Sequence, residues 1–222
     1  VRTIIGNERR GNLENYEGMT MIYSAVGDIR SNPLSGRYEE DFSEDPSMVG
    51  QMISAMGDGI IGNGAPGNED GFWLKIGLGT KHYTNYGAQW YRKKGNFFSS
   101  IRGLYEHQLK GFVDAASNGS VIGYMTSYGR TNGIPNAASP YISVAEAANK
   151  DYTLWNVADF MGEDSLYIDS GNNYDLVYAP DTAHAAALLI LSGTTENAMG
   201  GTPAEGGLAD SIDESNDVRI SP

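Results

Sequence analysis

The chain of 222 residues contains no cysteine. That absence excludes a disulfide framework, a thiolate metal site and a cysteine nucleophile, and it leaves the redox compartment open. Positive charge is also scarce, with 15 lysines and arginines against 28 aspartates and glutamates and a formal net charge of −13. A balance of that sign provides no basic groove for nucleic acid and no attraction to an anionic membrane surface. Long apolar runs are missing too: the longest, around Ala183 to Leu191, falls well short of the ~18 residues that cross a bilayer. The chain is therefore expected to be soluble, with neither nucleic acid nor membrane as a partner, and both cytoplasm and exterior stay compatible. The sequence opens with neither Met nor a charged-then-apolar leader, so any targeting segment is expected to be absent from it. Glycine, at 29, and tyrosine, at 14, are plentiful. They point to long structured loops, where sites are usually built.

Short apolar runs recur, each followed by a loop and then by helical periodicity, which is the pattern of successive β-α units. The first run is Met19 to Val26. Asp45-Pro46 then supplies a cap and first turn, Val49, Met52, Ile53 and Met56 are spaced for one helix face, and Gly57 and Gly59 are expected to stop the helix. The second run is Trp73 to Leu78, followed by a helix that opens at Ser99-Ser100 and carries Ile101, Leu104, Tyr105, Leu109, Phe112 and Val113, with Gly119 closing the unit. Ser120 to Tyr128 reads as the third strand, with a helix from Ser139-Pro140 to about Phe160. Ser165 to Asp169 reads as the fourth, with Asp181 capping a helix to Leu191. The fold class is α/β. A closed (β/α) TIM-type barrel needs eight strands and about 250 residues, so the barrel is expected to be incomplete in this chain. Residues 1–201 form the partial barrel catalytic domain in this reading. Residues 202–222 form an acidic C-terminal helix or linker toward a missing second domain.

Gly62-Asn63-Gly64-Ala65-Pro66-Gly67 matches the G-x-G-x-x-G spacing, but Pro66 and the polar Asn68-Glu69-Asp70 deny the helix that a dinucleotide fingerprint needs, so the segment reads as a loop. Asn118-Gly119-Ser120 matches a glycosylation acceptor and decides nothing alone. The informative residues lie where the runs end, because barrel enzymes project their catalytic groups from strand C-termini. Asp28 to Pro46 alternates carboxylates and guanidiniums; Arg37 offers fixed donors for hydroxyl pairs, while Glu40, Glu44 and Asp45 fit a loop-stapling ion network equally well. Lys81-His82-Tyr83 places a cation beside an imidazole at a strand end, suited to neutral polar ligands. Met125 and Tyr128 can line a site as apolar wall and hydroxyl, or serve as strand core. Asp169 stands at a strand tip before a polar loop, where a solvated turn aspartate is the plain alternative.

In order and content these pieces resemble glycoside hydrolase family 3, the β-glucosidase and β-xylosidase family. Gly36-Arg37 with Glu40 and Phe42-Ser43-Glu44-Asp45-Pro46 is similar to its GR-x-x-E-x-F-S-E-D-P segment, and Lys81-His82-Tyr83 to its K-H-F. Met125-Thr126-Ser127-Tyr128 with Asn132-Gly133-Ile134-Pro135 is similar to M-S-S-Y…N-G-V-P, Tyr167-Ile168-Asp169-Ser170-Gly171 to the V-S-D strand end, and Ser192-Gly193 to a later A-G-D turn. The resemblance implies a retaining exo-acting β-glycosidase without cofactor or metal. Asp169 is then the nucleophile, with Asp175 and Asp164 as alternatives, because Ser170 stands where many members carry Trp and Ile168 where Ser is usual. Arg37, Lys81 and His82 would bind sugar hydroxyls, with Met125 and Tyr128 lining the same subsite. A retaining enzyme also needs a carboxylic acid roughly 5 Å from the nucleophile. No residue here matches that acid, so a second domain or chain is expected to supply it. The rival reading is a catalytically inactive carbohydrate-binding or scaffold fragment of such a barrel.

Overall fold

The computed structural model describes residues 21–62, 74–90, 92, 95–148, 155–158 and 196–197. Its centre is a parallel sheet of five strands: β1 (Met21–Val26), β2 (Gly77–Tyr83), β4 (Gly123–Thr126), β7 (Trp155–Ala158) and β8 (Glu196–Asn197), hydrogen-bonded in that order. A second small sheet joins β3 (Asn96–Phe97), β5 (Arg130–Thr131) and β6 (Ile134–Pro135). The main strands follow one another in chain order without reversal, the order found along a (β/α) barrel wall and unlike that of a doubly wound sheet. Among the described residues the sheet does not close, since β1 and β8 each have one neighbour.

Helix α1 (Pro46–Ile61) starts where the sequence signal places it. The Asp45 carboxylate accepts from the Ser47 and Met48 amides at 2.7 and 3.2 Å, and Pro46 occupies the first turn. Its end differs from the expectation. Gly57 and Gly59 lie inside the helix, which continues to Ile61 and closes on Gly62 at φ 73°. The buried face also differs, running through Val49, Ile53, Gly57 and Ile60 while Met52 faces out. Gly57 serves close packing: a Cβ there would sit 1.9 Å from the Ser120 carbonyl oxygen.

The next helical segment opens at Ser100, whose hydroxyl accepts from the Gly103 amide at 3.0 Å. It runs through α2 (Ile101–Gly103), a wider π turn (Leu104–Gln108) and α3 (Lys110–Ser117). Leu104, Leu109 and Phe112 are buried, whereas Ile101 and Tyr105, expected on the same face, are exposed. The extra residue in the π turn rotates the faces on its two sides out of phase. Helix α3 packs against α1.

Three strands correct the sequence reading. β2 is displaced from the expected Trp73 to Leu78, because its second half is Gly79, Thr80, Lys81 and His82 and carries no hydropathy signal. Those residues are nonetheless strand: Gly79 leaves room for the Tyr23 ring, and the Thr80 hydroxyl donates to the Ala25 carbonyl at 2.8 Å. β4 is shorter than Ser120 to Tyr128. The helix expected from Ser139-Pro140 to about Phe160 is in fact α4 (Ile142–Ala148), and Trp155–Ala158 is a strand that pairs with β4 through Gly123–Trp155, Tyr124–Asn156 and Met125–Val157. The expected fourth strand, Ser165 to Asp169, and residues 202–222 lie outside the described residues.

Candidate active site

The C-terminal ends of β1 and β2 converge on one chain of polar contacts. β1 ends at Val26, and Asp28 follows two residues on, buried. Its Oδ2 accepts from the His82 backbone amide at 3.0 Å and lies 2.9 Å from His82 Nδ1; its Oδ1 accepts from the Tyr86 amide at 3.3 Å. On the other edge of the imidazole, Nε2 lies 3.1 Å from Arg37 Nη1. Arg37 then grips Glu40 through Nε at 2.7 Å and Nη2 at 2.6 Å, the bidentate fork that a guanidinium makes with a carboxylate. The Tyr86 ring stacks on His82, centroids 4.4 Å apart and planes 25° apart, and the Arg37 guanidinium lies 5.5 Å from the Tyr86 centroid. Asp28, His82, Arg37 and Glu40 thus form one connected line from the buried strand ends to the surface.

The electrostatics follow. Hydrogen bonding to Glu40 raises the Arg37 pKa above its usual value, and the same contact lowers that of Glu40, with the charge of Lys81 adding to it. Asp41 behaves in the opposite way. Burial, and then the neighbouring Asp28 charge, push its carboxyl up to about 7. Glu44 and Asp45, in the same acidic stretch, are structural: Glu44 accepts from the Tyr38 hydroxyl at 3.3 Å and Asp45 caps α1.

The structure brings Arg37 and His82 into contact, and Lys81 sits beside His82 near the end of β2, within the strand and not after it. The Lys81–His82 and Tyr83–Thr84 peptide bonds are cis. Met125, half-buried, pairs in register with Lys81 on one side and Val157 on the other. Tyr128 is buried and holds the Arg92 guanidinium 5.0 Å from its ring centroid. Asn136 ties the strand tips together, its Nδ2 donating to the Thr84 carbonyl at 2.8 Å and to the Ser127 hydroxyl at 2.5 Å. The hairpin before it turns on Asn132 and Gly133, both at positive φ, as an Asn-Gly turn requires. Asp169, Asp164 and Asp175 lie outside the described residues. Three groups had no role in the sequence reading: Asp28, Tyr86 and Asn136. Only Asp28 carried a usable signal, as a carboxylate directly beyond an apolar run.

A β-glucosidase of Ruminococcus albus is 33% identical over 137 residues, which is 62% of this chain and 13% of that protein. A solved family 3 exo-β-xylosidase, carrying a xylobiose aziridine probe, matches with TM-score 0.81 at 22% identity over 96% of this chain. The chain resembles part of a glycoside hydrolase family 3 enzyme. A β-glucosidase structure from Erythrobacter marinus matches at TM-score 0.74 and 23% identity over 99% of the chain. The chain spans 27% and 26% of these two structures, and no protein-family model matches it. Among the described residues no group of side chains could hold a metal ion, and no helix is long and apolar enough to cross a membrane.

Proposed function

We propose that this chain is part of the barrel domain of a retaining, exo-acting β-glycosidase that removes a terminal β-glucosyl or β-xylosyl unit. The observation that carries the reading is the Asp28–His82–Arg37–Glu40 line at the strand ends, with Lys81 beside it. A guanidinium fixed by Glu40 beside the Tyr86 ring, with a lysine next to His82 in the strand, suits the neutral, hydroxyl-rich edge of one sugar ring.

Strand order supports a candidate for the nucleophile. In this architecture a catalytic carboxylate extends from a strand C-terminus. After β4 the next sheet strand is β7, ending at Ala158, and the next residue in the sequence is Asp159. Asp159 stands two residues after Val157, which shares a register row with Met125 and through it with Lys81. We assign the nucleophile to Asp159, and Asp169, the motif-based candidate, becomes the alternative. The carboxylate oxygen bonds to the anomeric carbon as the bond to the leaving oxygen breaks, and that oxygen takes a proton from an acid supplied by a second domain or chain. Water then attacks the anomeric carbon of the glycosyl ester, giving its proton to the conjugate base of that acid, which returns the carboxylate and releases the sugar with its configuration retained.

The test is hydrolysis of aryl β-glucosides and β-xylosides by the wild type, Asp159→Asn and Asp169→Asn. The reading expects loss of turnover in Asp159→Asn alone, with sugar binding preserved. Loss in Asp169→Asn alone moves the nucleophile there. Binding with no turnover in any form supports the inactive carbohydrate-binding fragment instead.

A further inference from the structure

The hydrogen bonds around His82 determine where its proton sits. Asp28 presents only acceptors, and the three groups turned to it are the His82 amide, His82 Nδ1 and the Tyr86 amide. Nδ1 therefore carries hydrogen. Across the ring, Arg37 presents only donors, and its Nη1 lies 3.1 Å from Nε2, so Nε2 offers a lone pair. Both neighbours agree on the neutral Nδ1–H imidazole, because the bond made by one ring nitrogen decides the state of the other. Exchange of the two edges is blocked: the His82 side chain is 3% exposed, that of Asp28 is 6%, and Tyr86 covers one ring face.

We propose that Asp28 is a positioning residue that holds His82 as the Nδ1–H tautomer, so that Nε2 acts as an acceptor for a ligand hydroxyl while an N–H of Arg37 donates to the same hydroxyl. A ligand hydroxyl that donates to Nε2 takes the single lone pair that Arg37 Nη1–H now occupies, and the released Nη1–H donates to the same hydroxyl while Nε and Nη2 keep their hold on Glu40. A hydroxyl can both give and accept, so it satisfies both partners at once; an ether or a fluorine satisfies only Arg37. The ligand class is thereby a polyol with a free hydroxyl at this position. This assignment of the ligand rests on the glycosidase reading, whereas the tautomer does not.

Asp28→Asn disturbs the arrangement in either amide orientation. With its oxygen toward His82, the amide nitrogen faces the Tyr86 N–H; with its nitrogen toward His82, it faces Nδ1 and the His82 N–H as a competing donor and favours hydrogen on Nε2, against Arg37. The experiment is ¹⁵N NMR of the imidazole in a His107→Gln/His184→Gln background, where His82 is the remaining histidine. The spectrum before any further substitution should show a protonated Nδ1 and an unprotonated Nε2, which needs no Asp28 variant to fold. Asp28→Asn should shift population toward Nε2–H and weaken methyl β-glucoside or methyl β-xyloside about fivefold to tenfold. Titration with those glycosides should move Nε2 and leave Nδ1 nearly still, and one deoxyfluoro glucoside, which keeps only the contact with Arg37, should bind more weakly than the parent glycoside. Hydrogen on Nε2 in the unsubstituted Asp28 protein, or a spectrum unchanged in Asp28→Asn, overturns the positioning role. Glycoside binding that leaves Nε2 unmoved overturns the acceptor role. Absence of glycoside binding with the expected tautomer overturns the glycosidase reading and its sugar ligand, leaving the role of Asp28 toward His82 supported.

Discussion

Replacing Gly57 with alanine sets two effects against each other, and the geometry decides between them. In an exposed helix interior, Gly→Ala stabilises by about 1 kcal/mol, since alanine loses less backbone entropy on folding. At Gly57 the added Cβ would lie 1.9 Å from the Ser120 carbonyl oxygen, 2.8 Å from its carbonyl carbon and 3.0 Å from its Cβ. The obstacle is buried backbone, which cannot swing aside as a side chain tip would. Relief to ordinary contact needs a shift of about 1.5 Å, which strains the bonds that hold Ser120: its amide to the Ala115 carbonyl at 3.2 Å and its hydroxyl to Asp58 at 2.8 Å. Overpacking costs about 1 to 3 kcal/mol and a weakened hydrogen bond about 1 more, so the propensity gain is outweighed and the net loss is about 2 kcal/mol. Urea unfolding followed by far-ultraviolet circular dichroism should show a lower midpoint at unchanged slope. Met52→Ala, on the exposed side of the same helix, should stay within about 0.5 kcal/mol of wild type. A Gly57→Ala protein as stable as wild type, or more so, would refute the close approach of α1 to Ser120.

Asp41 makes stability depend on pH in a defined direction. Its folded pKa of about 7 exceeds the ordinary 3.8, so the folded chain holds the proton more tightly and stability falls as pH rises from about 4 to about 7, levelling off above that. Asp41→Asn should remove this slope, gaining about 1 to 3 kcal/mol relative to wild type at pH 8 compared with pH 4; parallel denaturation curves across that range would contradict it. Arg37→Lys keeps the charge but loses the fork on Glu40 and the contact with His82 Nε2. Calorimetry should show about tenfold weaker methyl β-glycoside binding, with stability changed by less than about 1 kcal/mol because Glu40 is part-exposed.

The elements that sequence alone made legible are those whose signal is local. The Asp45-Pro46 cap, the Ser100 cap and the apolar run of β1 each depend on neighbours within a few residues, and each stands where it was expected. The second half of β2 was illegible because its inward positions are glycine, threonine and histidine, chosen for close approach and polar contact. β7 was hidden in an alanine-rich stretch whose local preference is helical; pairing with β4 overrides it. At the site, motif spacing singled out Arg37, Lys81 and His82, but the partner that orients His82 lies 54 residues earlier in sequence, and only the parallel pairing of β1 with β2 brings Asp28 to it. Strand count bears on where a catalytic aspartate is sought: with β7 read as helix, Asp169 is the candidate at a strand tip, and with β7 as a strand Asp159 becomes a second one.

The central claim is that a carboxylate beyond β7 forms a covalent glycosyl ester, and trapping that ester tests it directly. In a 2-deoxy-2-fluoro β-glycoside an activated leaving group departs without help from an acid, so the first step needs no proton donor, while the fluorine slows hydrolysis of the ester. Incubation followed by proteolysis and mass spectrometry should place one fluoroglycosyl group on the peptide containing Asp159, and Asp159→Asn should take up none. A label on Asp169 or another carboxylate, or inverted product with no label at all, would contradict the account.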